Sequence, residues 1–287
     1  MRNVFRSLLA GAAVLAAGIT AASAADLGNG SLKDYGAPMP VTMASPSSWY
    51  IRGDFSASSF DVPTIYEHDA TSEYDLTQNK IGRNWGLGGG IGRYLGANTR
   101  ADITVDWFRK SSVSGFMSPI IDTTNCFGCA TNLPGEHKFD LQSTVGLLNF
   151  YYDFGQRGHF SPYVGAGLGF VRHKTSNGTV AGQFAGTPDN IVSGTIDGKS
   201  TTQLAGALMT GFSVALRSNM HLDAGYRFLY MGKAETGKVN GNSTDLQNNL
   251  IANPVYDDPT VTDIHAHQFR VGVRYDFGGG RSCGSTC

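Results

Sequence analysis

From Trp49 onward, apolar and polar residues alternate with a period of two through most of the chain. Such a period is typical of β-strands whose two faces meet different surroundings. Soluble strands are usually about 5–6 residues long, whereas a tilted strand needs about 9–11 residues to cross a bilayer. Eight alternating stretches cover about residues 49–58, 85–92, 100–107, 139–154, 164–170, 203–216, 221–230 and 268–277. The first three cover nearly ten residues each, which is closer to the longer length.

The fourth stretch is the least regular of the eight. Val145 and Leu147 share one phase, whereas Leu148, Phe150 and Tyr152 share the other. A β-bulge would move the apolar phase from one face to the other. We therefore predict a bulge near Asn149.

The connections alternate between short and long, which decides the fold class. Three are short, and the four between them run over twenty residues each, at about 61–83, 110–137, 173–199 and 233–262. Long structureless loops argue against a compact soluble domain, whereas transmembrane barrels combine short periplasmic turns with long external loops. The sequence thus predicts an all-β protein, an eight-stranded antiparallel up-and-down transmembrane β-barrel with four long external loops.

The apolar phase of each stretch is expected to face lipid. Every backbone donor and acceptor must be paired there, so the sheet must close on itself. Aromatic side chains concentrate at the two membrane interfaces of such barrels. Several residues near the strand ends fit these girdles: Trp49, Trp107, Tyr226, Tyr230, Tyr275 and Phe277.

The opposite phase carries the charges. It holds five arginines and five aspartates: Arg52, Asp54, Arg100, Asp102, Asp106, Asp223, Arg227, Arg270, Arg274 and Asp276. An eight-stranded barrel has room inside for side chains and little else, so opposite charges can pair there. Inward glycines of the second and fifth strands would leave space for the long arginines. We predict a lumen charge network that fills the barrel and prevents conduction.

The N-terminus has the pattern of an export signal. Arg2 and Arg6 precede an apolar stretch, and Ala-Ser-Ala at 22–24 matches a cleavage site. No run of eighteen apolar residues follows, so no spanning helix is expected after the signal. The expected organisation is a signal peptide at 1–24, a flexible leader at 25–48, an outer-membrane barrel at 49–277 and a periplasmic tail at 278–287.

The net charge and the distribution of basic residues restrict the kind of partner that is expected. Loss of Arg2 and Arg6 with the signal peptide would change the formal net charge from −1 to −3. No cluster of five or more basic residues occurs, so no nucleic-acid partner is expected. Only 16% of the residues are charged and 38 of the 287 are glycine, a composition that fits a β-barrel with two different faces.

Four segments within these strands carry a family resemblance: Asn149–Gly155, Ser161–Gly169, Ala224–Arg227 and Val271–Phe277. They resemble the small outer-membrane β-barrel surface antigens, and most of all the 25–31 kDa outer-membrane protein family of rhizobia and relatives, which are OmpA/OmpX-like eight-stranded barrels. The resemblance implies a location in the outer membrane of a Gram-negative bacterium. Barrels of this type usually end on the aromatic residue of the last strand, whereas here Phe277 is followed by residues 278–287.

The four cysteines form two local groups. Cys126 and Cys129 lie in the second long loop, and Cys283 and Cys287 lie in the tail. In an exported protein a local disulfide is favoured over metal binding, and a zinc site would need a second Cys or His pair at suitable spacing. Cys283 and Cys287 could pair with each other or with another chain.

His265 and His267 share one phase at the start of the eighth strand. Two imidazoles on one strand face could ligate haem iron or another metal. Some relatives in the resembling family are associated with hemin binding, which implies the same test here. An interfacial pair without a ligand is the favoured interpretation, so no cofactor and no firm metal site are predicted.

No Ser-His-Asp grouping or nucleotide-binding motif stands out, so an enzyme is not expected. We expect a structural protein whose loops serve envelope integrity and bind host or matrix molecules. Expected partners are outer-membrane lipid and lipopolysaccharide, the barrel-assembly machinery and host surface molecules. Two main alternatives remain at this point: a narrow porin-like channel for small solutes, and a surface hemin-binding protein. A third, an outer-membrane lipid hydrolase, would need a catalytic histidine near the bilayer rim.

Overall fold

The computed structural model describes residues 49–61, 63–69, 72–117, 121–122, 129–130, 135–155, 160–184, 187–244, 250–252, 255–256 and 259–277. The predicted signal peptide, leader and tail lie outside these residues. The described chain consists of β-strands with turns and short connections. In this part of the chain, no helix has the length and apolar character needed to cross a membrane.

The strands in chain order are β1 (Trp49–Phe60), β2 (Thr64–Asp69), β3 (Ser72–Asp75), β4 (Thr77–Ile81), β5 (Asn84–Tyr94), β6 (Thr99–Phe108), β7 (Ser111–Met117), β8 (Ile121–Asp122), β9 (Cys129–Ala130), β10 (Gly135–Asp153), β11 (Phe160–Thr175), β12 (Gly178–Phe184), β13 (Thr187–Ile196), β14 (Ser200–Arg217), β15 (Met220–Tyr230), β16 (Ala234–Glu235), β17 (Val239–Thr244), β18 (Leu250–Ala252), β19 (Val255–Tyr256), β20 (Thr260–Thr262) and β21 (His265–Asp276).

Eight of these strands form the predicted closed, antiparallel up-and-down barrel. Around the wall they follow chain order as β1, β5, β6, β10, β11, β14, β15 and β21. The seam between the first and last strands is closed by β1 and β21, which pair from Tyr50↔Asp276 to Phe60↔Ala266. No edge strand therefore remains within the barrel wall, as closure in lipid requires.

Burial along each barrel strand follows the predicted alternation. On β1, Arg52 and Asp54 are buried inside while Ile51 and Phe55 are exposed outside. The same pattern holds on β6 and β21. Because the outward side chains are apolar, the wall presents a hydrophobic band.

The predicted β-bulge near Asn149 is wrong. β10 pairs with both β6 and β11 through Asn149 in a continuous register. Val145 and Leu147 are buried inside the barrel, whereas Leu148 and Phe150 are exposed outside. Both phases of this strand are apolar because the interior is itself apolar at this level, so no change of face is needed.

The four long connections are also more ordered than structureless loops. β10, β11 and β14 extend to 19, 16 and 18 residues, well beyond the length that a bilayer requires. Beyond the barrel, the sheet continues from β10 through β12 and β13 to β17 and β18, while β7 joins β10 to β4. A separate four-stranded sheet has the order β16-β20-β2-β3. We call these strands together the external sheets.

The external sheets share an apolar core with the barrel. Short alternating segments within the long connections supply buried side chains, which belong to the same cluster as apolar residues inside the barrel: Ile65, Leu76, Val113, Met117, Val180, Ile196, Val239 and Val261. Burial of such residues outweighs the polar, glycine-rich composition that made these connections look irregular. The external sheets therefore pack as a continuation of the barrel.

Candidate functional site

All ten charged residues that the alternation assigned to the lumen are buried within the barrel. One group centres on Asp106, which accepts hydrogen bonds from Arg227 Nη1 at 2.7 Å and Arg270 Nη2 at 3.3 Å. Arg270 also contacts Asp54 at 3.1 Å, and Arg227 Nε donates to the side-chain oxygen of Gln268. One carboxylate thus serves two arginines, and each arginine has a second partner.

A second group centres on Arg52. Its Nε and Nη2 donate to the two carboxylate oxygens of Asp54 at 2.9 and 2.7 Å, and its Nη1 donates to Asp102 at 3.2 Å. The same Nη1 donates to the hydroxyl of Tyr151 at 3.0 Å. Asn149 donates to Asp102 at 2.8 Å. Asp54 therefore links this group to Arg270 across the seam of the barrel.

Arg100 lies nearer the short connections, with partners of a different kind. Its Nε donates to Asp153 at 3.1 Å, and Asp153 was not among the predicted residues. The guanidinium lies 4.2 Å from the ring centre of Tyr151 and 5.0 Å from that of Tyr163. Its Nη1 and Nη2 atoms have no hydrogen-bond acceptor among the described residues. The two aromatic faces stabilise this charge through cation–π contacts.

The remaining charges also find partners close to this end. Arg274 lies 3.6 Å from Asp223. Asp276 contacts His221 at 3.0 Å and the Tyr94 hydroxyl at 3.2 Å rather than an arginine. The predicted balance of five against five is thus not a set of five pairs, because tyrosine, histidine, asparagine and one further aspartate complete the network.

The inward glycines leave space for neighbouring side chains, but these are mainly acidic, aromatic and amide side chains and not the predicted arginines. A Cβ at Gly88 would collide with the carboxylate of Asp106, and one at Gly92 would collide with the ring of Tyr50. At Gly167 the nearest atom would be the Asn149 side chain. Glycine on these strands therefore allows the acidic, aromatic and amide side chains of neighbouring strands to fold across the wall.

The half of the barrel interior towards the long connections has a different lining. Most of its buried inward side chains are apolar: Phe108, Leu141, Val145, Leu147, Val171, Ala205, Ala207, Met209, Leu229, Met231, Ile264 and Ala266. We call this set the apolar layer and the ten charged residues with their partners the polar layer. The interior thus consists of two layers stacked along the barrel axis.

One Ser-His contact lies within the apolar layer, and the sequence search did not single it out. Ser143 Oγ is 2.8 Å from His173 Nδ1, and His173 Nε2 is 2.9 Å from the carbonyl oxygen of Met231. A backbone carbonyl therefore occupies the place that a carboxylate holds in a catalytic triad. Both side chains are buried, so the contact has a structural explanation in satisfying polar groups inside the wall.

The speculative hemin or metal pair lies on the outside of the wall. The rings of His265 and His267 are 6.3 Å apart, and both face Asp61, at 2.8 Å from His265 Nε2 and 3.6 Å from His267 Nε2. His267 Nδ1 is hydrogen-bonded to the Tyr226 hydroxyl. Among the described residues, no group of three or more His, Cys, Asp or Glu side chains is arranged to hold a metal ion. Hemin binding by this pair stays a prediction.

The cysteine predictions stay predictions as well. Cys126, Cys283 and Cys287 lie outside the described residues. For Cys129 only the backbone, in β9, is described.

A family model described as an outer membrane protein beta-barrel domain matches residues 10–277. The chain belongs to this family. An uncharacterised protein of Brucella abortus (strain 2308) is 27% identical, with 90% of this chain and 94% of that protein covered. A Rickettsia prowazekii (strain Madrid E) protein that is named as a putative adhesin is 24% identical, with 80% of this chain and 87% of that protein covered.

The chain is also similar to two solved structures, at low sequence identity. The outer membrane protein OprG from Pseudomonas aeruginosa is 15% identical, with 80% of this chain and 96% of that chain covered and a TM-score of 0.42. Neisserial surface protein A is 16% identical, with 80% and 97% covered and a TM-score of 0.38.

As a member of the outer-membrane barrel family, the protein lies in the bacterial outer membrane. Short connections in such barrels are periplasmic and long ones are external. The polar layer is therefore on the periplasmic side, and the apolar layer and the external sheets are on the outer side. At the two ends of the hydrophobic band, aromatic residues are exposed as the girdles predict, with Trp49 and Tyr275 on one side and Trp85 and Trp107 on the other.

Sequence reasoning missed several members of the polar layer for three reasons. Tyr151 and Asn149 lie on the strand whose phase was ambiguous. Asp153 lies at a strand end, where the alternation is less informative. His221 lies on the predicted inward phase with Asp223, but it was not counted among the charges. The usable signal was the strand phase itself: Asn149 and Tyr151 are two and four residues from Leu147 and share its inward phase.

Proposed function

We propose that this protein is a non-enzymatic surface-binding protein, in which a sealed barrel carries folded external sheets for contact with host or matrix molecules. The continuity of β10 carries the proposal. Beyond the barrel, this strand pairs with β7 over residues 135–141 and with β12 over residues 136–138. Because the wall is rigid, side chains on its extension are held in fixed positions, as recognition requires.

The two layers of the lumen support the sealed barrel. A solute would have to break ion pairs in the polar layer and then open the apolar layer. Protein interiors packed in this way leave few voids larger than a water molecule. The barrel therefore serves as a support, and envelope integrity follows from a wall that does not leak.

The outer face of the extended sheet offers the contact surface. Phe116 is 40% exposed there, beside a shallow groove lined by Lys80, Ser114 and Glu136. Aromatic residues are enriched at the centre of protein interfaces and polar residues at the rim, so Phe116 would be the centre of such a contact. The name of the Rickettsia relative as an adhesin agrees with this use of the surface. Expected partners in the envelope are lipopolysaccharide and the barrel-assembly machinery.

Two measurements test the proposal. Folded protein in a planar bilayer should show no single-channel current, and reproducible open steps would replace the sealed barrel by a narrow solute channel. Bacteria displaying the protein should adhere to host cells or matrix, and Phe116→Ser should reduce that adhesion. The matched control is Phe154→Ser, which changes an exposed phenylalanine at the periplasmic end. Equal adhesion by the Phe116 and Phe154 variants would contradict the assignment of the surface.

A further inference from the structure

Three exposed basic residues lie in two neighbouring connections, between β4 and β5 and between β6 and β7, at the outer edge of the hydrophobic band. Arg83, Arg109 and Lys110 are all exposed, and we call them the basic patch. Arg83 and Arg109 occupy the next outward positions beyond Trp85 and Trp107, whose ring centres are 6.1 Å apart. The patch therefore lies where the aromatic girdle ends and the headgroup region begins.

An irregularity in the wall places two of the three side chains there. On β6 the outward positions are odd-numbered as far as Trp107, but both Arg109 and Lys110 are exposed between β6 and β7. On β7 the buried positions are Ser111 and Val113, so the phase has changed. The extra exposed residue gives the outer surface two consecutive basic side chains where a regular strand would give one.

The neighbouring strands have a matching break. Between β4 and β5, Gly82 and Arg83 are both exposed. The backbone on either side is held together, since Arg109 N donates to Trp85 O at 3.1 Å and Gly82 N donates to Ser112 O at 3.2 Å. The two irregular connections are therefore held in place by backbone hydrogen bonds.

The acidic side chains near the patch have other partners. Asp140 accepts a hydrogen bond from Ser112 Oγ at 3.0 Å. Asp61 faces His265 and His267. Within the described ranges, none of the three patch side chains has a carboxylate within ion-pair distance. The patch therefore keeps three positive charges available to an external anion.

We propose that the basic patch binds the phosphate groups of the glycolipid that forms the outer leaflet, lipopolysaccharide. Guanidinium groups match phosphate geometry through paired N–H donors, and lysine adds a point charge. The patch faces sideways, into the leaflet and just beyond the tryptophan pair, which favours a lipid headgroup over a soluble glycan that arrives from outside. The proposal gives a site to the lipopolysaccharide contact named under the proposed function and rests on that part of it, but it is independent of adhesion and of the sealed lumen.

The test compares two double variants of the folded protein in zwitterionic detergent. Arg83→Gln/Arg109→Gln removes two patch charges. Arg93→Gln/Arg217→Gln removes two exposed arginines from the periplasmic end. Diphosphorylated lipid A is titrated and its Kd is measured. We expect about tenfold weaker binding for the patch variant, which corresponds to about 1.4 kcal/mol, and little change for the control. Adding Lys110→Gln should weaken binding further.

Each other outcome overturns part or all of the proposal. Equal loss in both variants, or no loss in the patch variant, would remove the site. Binding of dephosphorylated lipid A as tight as that of the diphosphorylated form would show that phosphate is not recognised. Inorganic phosphate or heparin bound more tightly than lipid A would assign the patch to a soluble anion. Heat-dependent gel mobility confirms that each variant is folded, and single-channel current separately tests the sealed lumen.

Discussion

The polar and apolar layers fill the same barrel in opposite ways, and Arg227 and Leu229 show the boundary between them. Both are inward on β15, two residues apart, and neither has any exposed surface. Arg227 depends on Asp106, a residue 121 positions away in sequence. Leu229 needs only neighbours of suitable shape. An apolar layer tolerates any close packing, whereas a polar layer requires particular partners at particular distances.

The polar layer also links the two ends of the barrel domain. Asp54 on β1 and Arg270 on β21 are 3.1 Å apart across the seam where the first and last strands meet. A slip of one residue in this pairing would turn one of the two to the lipid side while the other stays inside. The ion pair therefore favours the correct closing register, which an apolar contact would specify less sharply.

The largest effect is expected from breaking the polar layer. Arg227→Ala should lower the free energy of unfolding by about 3–5 kcal/mol, because Asp106 loses a buried partner. Urea unfolding in lipid vesicles, followed by tryptophan fluorescence, measures the loss. Arg227→Met retains more of the side-chain volume, so comparing it with Arg227→Ala separates the loss of the charge from the creation of a cavity. A loss below about 1 kcal/mol would mean that water already screens this layer.

The matched change in the apolar layer is Leu229→Ala. It should cost about 2–5 kcal/mol, since a buried leucine leaves a cavity. Neither variant should conduct ions, because each change leaves the other layer of the lumen closed. Single-channel recording of both variants checks this, and current through either one would show that a single layer seals the lumen.

A smaller effect is expected from filling the space that glycine leaves in the polar layer. Gly88→Ala places a methyl group against the Asp106 carboxylate and should cost about 1–3 kcal/mol. Gly53→Ala is the control, because its added Cβ would have no heavy atom within 4 Å. The control should change the unfolding free energy by less than about 0.5 kcal/mol. Equal stability of the two variants would show that the wall relaxes around Gly88.

The smallest effect lies in the external sheets, where an ion pair is partly exposed. Hydrogen bonds from Lys233 and Lys199 lower the pKa of Glu235 below its ordinary value of 4.5. A lowered pKa stabilises the folded state above the ordinary value, and this stabilisation is lost as the pH falls through the lowered one. Glu235→Gln should therefore cost less than about 1 kcal/mol at pH 7 and nothing at pH 2. Hydrogen exchange at β16 and β20 measures the difference, and a loss that persists at pH 2 would contradict the electrostatic cause.

The sequence predicted the fold only where apolar and polar residues alternate clearly along a strand. The period of two located all eight barrel strands and gave the inward phase of the ten charged residues, because lipid on one side and a packed lumen on the other enforce strict alternation. The method was wrong near Asn149, where both faces of the strand are apolar and alternation loses its contrast. It also missed the external strands, whose apolar residues are few and spaced among Gly, Asn, Ser and Thr.

The sequence by itself determined which residues face inward, since direction along a strand depends only on local geometry. The tertiary structure alone decided which inward side chains form contacts with one another. Asp276 contacts His221 and Tyr94 rather than an arginine, and Arg100 is held by Asp153 and two tyrosines. Such partners come from different strands, and their distances depend on register and on glycine positions across the wall. The division into a polar and an apolar layer follows in the same way, because depth along the axis is set only when the strands are staggered into a barrel.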